Sequence, residues 1–355
     1  MTGINLTSRI DLNSVMLRER MVQLGEQVST GRKGSSYAAL GTEAPKTMDF
    51  RAEINRRETY HEMIDQVLSK VQVTQNVLDR IGAIAEKFKA NTAKLTGVAR
   101  SEEIQIQSDQ AKAALVEVAN LLNERYGGEY LFGGSDTRNP PIPNADAIVS
   151  KPGGMVDEII KQVGLLNGSN TATVLTATKG FAQSNAAGVT PFSTFLSTGD
   201  GATEARRNVL AGDNERVEYG IPANKNGAVV SVGETTGSWA RDLLRSLASI
   251  AGLTPEKGKQ GQGYIDFVTS VQRSLESSVD ALALERGSLG VTEKRLQSIQ
   301  TLHESVTTSL TLQVSDLEEV DMAKTITSFQ ATQTQLEASY RAISIAQQLS
   351  LTRFL

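Results

Sequence analysis

The chain has 355 residues, no cysteine, a formal charge of −4, 39% hydrophobic and 5% aromatic residues. This is length enough for two or three domains with ordinary cores, and the mild negative charge argues against a nucleic-acid surface, which needs a basic stripe. Without cysteine no disulfide framework holds the fold, and no apolar run approaches the roughly 18–20 residues that span a bilayer, so neither a nucleic-acid nor a membrane partner is expected.

The first residues, MTGINLTSRIDLNS, lack a basic region followed by an apolar one, so a cleaved secretory leader is not expected. Residues 1–32 read as one amphipathic helix. Ile10, Leu17, Met21, Leu24 and Val28 recur at steps of three and four, with Ser14 as a polar gap. Gly31 and Gly34 interrupt it, and Gly34–Pro45 reads as a small, polar loop.

From Met48 to Thr96 a helical pattern returns, with Ile64, Val67, Val71, Leu78, Ile81, Ala85 and Phe88 on one face. Gly97 is expected to end it, and Ser101 to cap the next helix, with Glu102 and Glu103 at the favoured dipole end. Ile104, Ala111, Leu115, Val118 and Leu122 continue the face until Gly127-Gly128 stops it. Beyond Phe132 glycine and proline become frequent. The Thr/Val-rich segments Thr171–Thr178 and Gly227–Val232 predict strands, while 156–166 and 239–250 predict short helices, together a mixed insert.

Helical periodicity resumes from Tyr264 to Leu312 through Val268, Val271, Leu275, Val279, Leu282, Leu289, Leu296, Ile299, Leu302, Val306 and Leu310. Ser315-Asp316-Leu317-Glu318 has the spacing of a capping box and predicts a fresh helix there. Its stripe is Met322, Ile326, Phe329, Leu336, Tyr340 and Ile343, with Gln333 as the polar gap. Both chain ends thus carry a narrow coiled-coil-like seam that a lone helix cannot bury.

The expected fold class is mainly α with an α/β insert. The elongated helical-bundle rod is built from both termini, with coiled-coil terminal helices and an outer mixed domain. The domains are residues 1–33 with 315–355, residues 46–135 with 260–314, and the insert 136–259. A helix of roughly 50 residues would reach about 75 Å. The stripes read either as an ordinary intramolecular core or as surfaces fully buried only between subunits. A two-helix pair is marginal in water, which favours the second and predicts that about 1–40 and 315–355 are mobile in the free monomer.

Catalytic patterns are weak. His61-Glu62 and His303-Glu304 lack the second histidine four residues on, where Asp65 and Thr307 stand, so both histidines read as surface helix residues and no metal is expected. Gly252 to Gln260 is one residue too long for a phosphate loop and has Gln260 where Ser or Thr is required, so it reads as a linker. Neither histidine sits near a nucleophile turn. No enzymatic activity and no cofactor are expected. An enzyme or adhesin carried by the insert is the remaining alternative, although the insert shows no repeat.

Four segments resemble the flagellin family of bacterial axial proteins. Gln27-Val28-Ser29-Thr30-Gly31-Arg32 is similar to its N-terminal segment. Ser315–Ala323 and the end Leu349–Leu355 resemble its C-terminal helix. Tyr130–Gly134 ahead of Asn139-Pro140-Pro141-Ile142 is similar to the exit from the rod in members at the hook–filament junction, where filament flagellins differ. Gly212-Asp213 with Arg216, Ile221, Asn224 and Gly227 is similar to an outer segment of those members. The acidic turn common in the family after the first helix is absent from Gly34–Pro45.

The resemblance implies a structural subunit exported through the flagellar type III channel without a cleaved signal and assembled outside the cell at the hook. It also implies an export chaperone on the C-terminal helix, and as partners copies of itself, a neighbouring hook-associated protein and flagellin. A filament-forming flagellin is the close alternative. The expected assembly residues are Leu17, Met21, Leu24, Val28, Met322, Ile326, Phe329, Leu336, Tyr340 and Ile343.

Overall fold

The computed structural model describes residues 3–96, 101–225 and 235–351, with side chains for 12–96, 101–225 and 235–345. Gly97, the strand expected at Gly227–Val232, the side chain of Ile10 and the final Thr352–Leu355 lie outside the described residues. The chain divides into two compact units, 60–301 and a second made of 1–59 with 302–355.

Two long helices contribute to both units: α2 (Ala44–Leu95) and α8 (Gln262–Glu318), of 52 and 57 residues. The unit of both chain ends also holds α1 (Gly3–Thr30), a 3-10 turn (Tyr37–Glu43) and α9 (Met322–Leu351). The loop expected over Gly34–Pro45 is therefore partly helical.

In the other unit, α2 and α8 run antiparallel. Gln300 donates to Asp65 at 2.5 Å, Gln75 donates to Glu293 at 3.1 Å, and Arg286 pairs with Asp79. α3 (Ser101–Leu122) lies beside α2, where Asn91 Nδ2 donates to Gln107 Oε1 at 3.1 Å, and α7 (Trp239–Ala251) beside α8, where Ser246 Oγ donates to Ser274 Oγ at 3.0 Å; the unit also holds α4 (Met155–Gly164), α5 (Thr171–Gln183) and the one-turn α6 (Thr194–Ser197). The predicted helical faces form the core: Leu78, Ile81 and Phe88 of α2, Leu115, Val118 and Leu122 of α3, and Val268, Leu275 and Leu282 of α8 are all buried. α7 is buried on every side and packs on α3, α4 and α5.

The strands are short. β1 (Arg125–Tyr126) and β2 (Glu129–Tyr130) form a hairpin, as do β3 (Asn208–Gly212) and β4 (Glu215–Glu218), the second with a bulge between Leu210 and Gly212. Gly127-Gly128 does not stop a helix. α3 has already ended at Leu122, and the two glycines, at φ of 59° and 85°, supply the left-handed turn that a two-residue hairpin loop requires.

Two further expectations fail. Thr171–Thr178 is not a strand but the start of α5. Val174, Thr178 and Ala182 recur every fourth residue and are buried, and this packing overrides the β preference of Thr and Val. Ser315 starts no helix, because α8 continues through it to Glu318. The break falls at 319–321, where Asp321 Oδ1 accepts from Lys324 N at 3.1 Å and caps α9.

Candidate assembly face

α1 packs along α9. The pair is antiparallel: Arg18 Nη2 donates to the Tyr340 hydroxyl at 2.8 Å, Gly25 lies opposite Phe329, and Gly31 O accepts from Val320 N at 2.9 Å. On α1 the inward positions are Ser14, which is buried, and the half-buried Leu17, Met21, Leu24 and Val28, the expected stripe. On α9 they are Thr325, Phe329, Thr332, Leu336, Ser339 and Ile343, a continuous alternation of steps of four and three.

This differs from the expected α9 stripe at every second position. Met322 and Ile326 are each 40% exposed and Tyr340 is 43% exposed, while Thr325 and Thr332 are buried in their place. The exchange has a physical reason. A threonine turns its methyl to the partner helix and satisfies its hydroxyl on its own backbone. Thr325 Oγ1 donates to Asp321 O and Thr332 Oγ1 to Ser328 O, both at 2.8 Å. Small residues there let the helices approach, whereas Tyr340 in the seam would hold them apart. The Thr-Thr-Ser series at 325, 332 and 339 was the missed signal.

The pairing leaves large apolar side chains uncovered on the outer side of both helices. Leu12 is 60% and Val22 66% exposed on α1, with Val15 and Met16 also exposed, and Ile345 joins Met322 and Ile326 on α9. Exposed apolar residues recurring on one helix pair mark a surface suited to another chain.

Where α1 ends and α9 begins, the two connecting segments are tied together. Gly31 takes a left-handed φ of 71° that ends α1, and the backbone then pairs antiparallel with the α8–α9 link: Lys33 N donates to Glu318 O at 2.8 Å, and Arg32 bridges Glu319. Arg51 on α2 grips the Glu318 carboxylate with two bonds, Nε to Oε1 at 2.8 Å and Nη2 to Oε2 at 2.7 Å. The Arg51 bond first, then the charges of Arg51 and Arg32, hold the Glu318 carboxyl below its ordinary range. Lys33 pairs with Glu43 at 3.1 Å and Gln27 Nε2 donates to Lys33 O at 2.8 Å, fixing the connector from both sides.

The residues weighed for catalysis lie apart from this pair. His61 Nδ1 lies 3.3 Å from Asp65, one turn on. His303 is not on the surface as expected: it is buried beside Arg57, whose Nη1 is 3.2 Å from its Nδ1, while its neighbour Leu302, expected on the inner face, is exposed. In the stretch 252–260, Lys257 Nζ donates to Gly164 O at 2.6 Å and Leu166 O at 2.8 Å, and Gln260 Nε2 donates to Leu166 O at 2.6 Å. These side chains close the C-terminal end of α4, a capping role for cations at that end of a helix.

Comparison with known families matches the two outer parts of the chain and leaves the middle unmatched. The bacterial flagellin N-terminal helical region matches residues 5–137, and the bacterial flagellin C-terminal helical region matches residues 273–355. Together they cover more than half of the chain, and they meet in the α1–α9 pair. No curated protein sequence matches the chain.

Proposed function

The chain belongs to the flagellin family, whose members are structural subunits of the extracellular bacterial flagellum, and we propose that within it this chain joins the hook to the filament as a hook-associated junction subunit. The observation that carries this reading is the exit segment Tyr130–Gly134 with Asn139–Ile142, which is similar to that of junction members.

That segment is firmly built. Tyr130 N donates to Thr137 O at 2.9 Å, and Ala223 N donates to the carbonyl of the buried Phe132 at 3.0 Å. Asn123 and Ile142 exchange two bonds, Nδ2 to O at 2.8 Å and N to Oδ1 at 2.9 Å. A rigid exit suits a subunit that must present a fixed outer surface to two different neighbours.

In this reading the chain leaves the cell through the flagellar type III channel, with α9 held by an export chaperone beforehand. It assembles when neighbouring copies cover the outer apolar faces of α1 and α9. Met322 and Ile326, exposed on α9, then meet neighbours together with the exposed ring of Tyr340, whose hydroxyl is held by Arg18, while Leu17, Met21, Leu24, Val28, Phe329, Leu336 and Ile343 hold the pair itself. Leu336→Glu is expected to spare export and to prevent incorporation, read as protein in the medium but not on isolated flagella. Normal incorporation of this variant would remove the terminal pair from the assembly mechanism.

The decisive experiment is the position of labelled protein on isolated flagella. A band at the tip of the hook is expected, with purified protein failing to polymerise alone. Label along the whole filament would instead identify a filament flagellin.

A further inference from the structure

Beside the backbone clamp lies a pocket of about 200 Å³, lined by Arg32, Ser35, Ser36, Tyr37, Arg51 and Glu318 among others. Its polar groups are unevenly matched. Glu318 takes Nε and Nη2 of Arg51. The Arg32 guanidinium and the hydroxyls of Ser35, Ser36 and Tyr37 have no hydrogen-bond partner among the described residues. Two guanidiniums face one carboxylate, which leaves one positive charge in excess.

The walls are set in advance. The backbone of Gly31 and Lys33 is bonded to Val320 and Glu318, and Gly34 comes so close to the 3-10 turn that a Cβ on it would stand 2.3 Å from the Ala39 Cβ. The backbone of this pocket therefore loses little conformational freedom when it is filled. Its chemistry favours a singly charged, planar anion. Arg32 offers a fork of N–H donors that matches a carboxylate, and the hydroxyls add donors around it. A doubly charged phosphate would set its second charge against Glu318.

We propose that this pocket binds a carboxylate, supplied either free in solution or by an acidic side chain of a second copy. The inference does not depend on where in the flagellum the chain sits.

The test is a titration of the full chain with sodium acetate against sodium chloride at equal ionic strength, read by NMR of the arginine Nε–H signals. The Arg32 and Arg51 signals are expected to shift saturably with acetate and not with chloride. Arg32→Gln is expected to weaken acetate binding, read at Arg51, about tenfold, the loss of one charge-assisted contact. Ser36→Ala, at an exposed hydroxyl, is expected to weaken it by a smaller factor with unchanged thermal unfolding. Sedimentation at rising protein concentration separates the sources. Acetate that reduces self-association identifies a neighbour's acidic side chain, and acetate that binds without affecting association identifies a free carboxylate. An acetate response no larger than that to chloride, or one equal in wild type and Arg32→Gln, overturns the proposal.

Discussion

Glu285 is fully buried on α8 and pairs with Arg206 from the loop before β3. Removing one partner of a buried pair leaves a charge with no water to return to, so Arg206→Ala is expected to cost about 3–5 kcal/mol, measured by chemical denaturation. Combining Arg206→Met with Glu285→Leu, which removes both charges and keeps the volume filled, is expected to recover most of that. A second buried carboxylate, Asp242 of α7, accepts from Thr236 N at 2.9 Å and 3.1 Å, yet burial pushes it up to about 6. Its folded form holds its proton more tightly than the unfolded chain does. It therefore favours the native state below the unfolded value, and that stability is lost as pH rises through about 6. Asp242→Asn is accordingly expected to be more stable than wild type above neutral pH, by at most about 3 kcal/mol, with the difference vanishing near pH 4; unfolding curves across that range check it. The helical spacing of α7 was legible in the sequence, but the burial of its charges was not. Arg241 donates to Ala182 O at 2.8 Å and Ser184 O at 3.2 Å, and Arg245 to Leu175 O at 3.3 Å, all in α5 or just after it. A guanidinium that caps another helix can be buried, and nothing local announces it.

Among the elements, the long helices were readable because their apolar residues repeat with the helical period over many turns, so that α2 and α3 bury the faces that the spacing predicts and α8 does so as far as Ile299, beyond which Leu302 is exposed. Short elements were misread where two local signals compete. In α5 a β-branched composition concealed the four-residue recurrence of Val174, Thr178 and Ala182. At the end of α8 a capping spacing at Ser315 lost to a cap at Asp321, because the backbone of 318–320 is drawn into pairing with Gly31–Lys33. The α9 seam was displaced by one position for a similar reason: large apolar residues outrank threonine in any hydrophobic pattern, although threonine is what a close helix pair accommodates. Gly25 lies in that pair, and a Cβ on it would meet the Phe329 ring at 3.5 Å, an ordinary contact. Gly25→Ala is therefore expected to stabilise the pair by about 1 kcal/mol through helix propensity, seen as slower amide exchange in α1 and α9.

For the molecule as a whole, the notable fact is that one compact unit is made from both ends of the chain and the other from its middle. Arg18 and Tyr340, in hydrogen-bond contact, are 322 residues apart, and closing so long a loop costs about 5 kcal/mol in chain entropy. The unit of residues 60–301 closes a loop of similar length, from Asp65 to Gln300, but carries most of the buried apolar residues that offset it. It is expected to fold first and to melt last. Deleting residues 322–355 should therefore preserve the protected amides of α3 and α7 and the higher-temperature transition, while α1 becomes open to protease; loss of both transitions would refute this order. Because α1 and α9 are antiparallel, the start of α1 and the end of α9 lie toward the same end of the pair. A short peptide linker could stitch them together, and the chain could be cut open afresh at the exposed turn Asp213-Asn214 between β3 and β4. In such a circular permutant every native contact could form as before. The one thing changed would be which segment comes first along the chain.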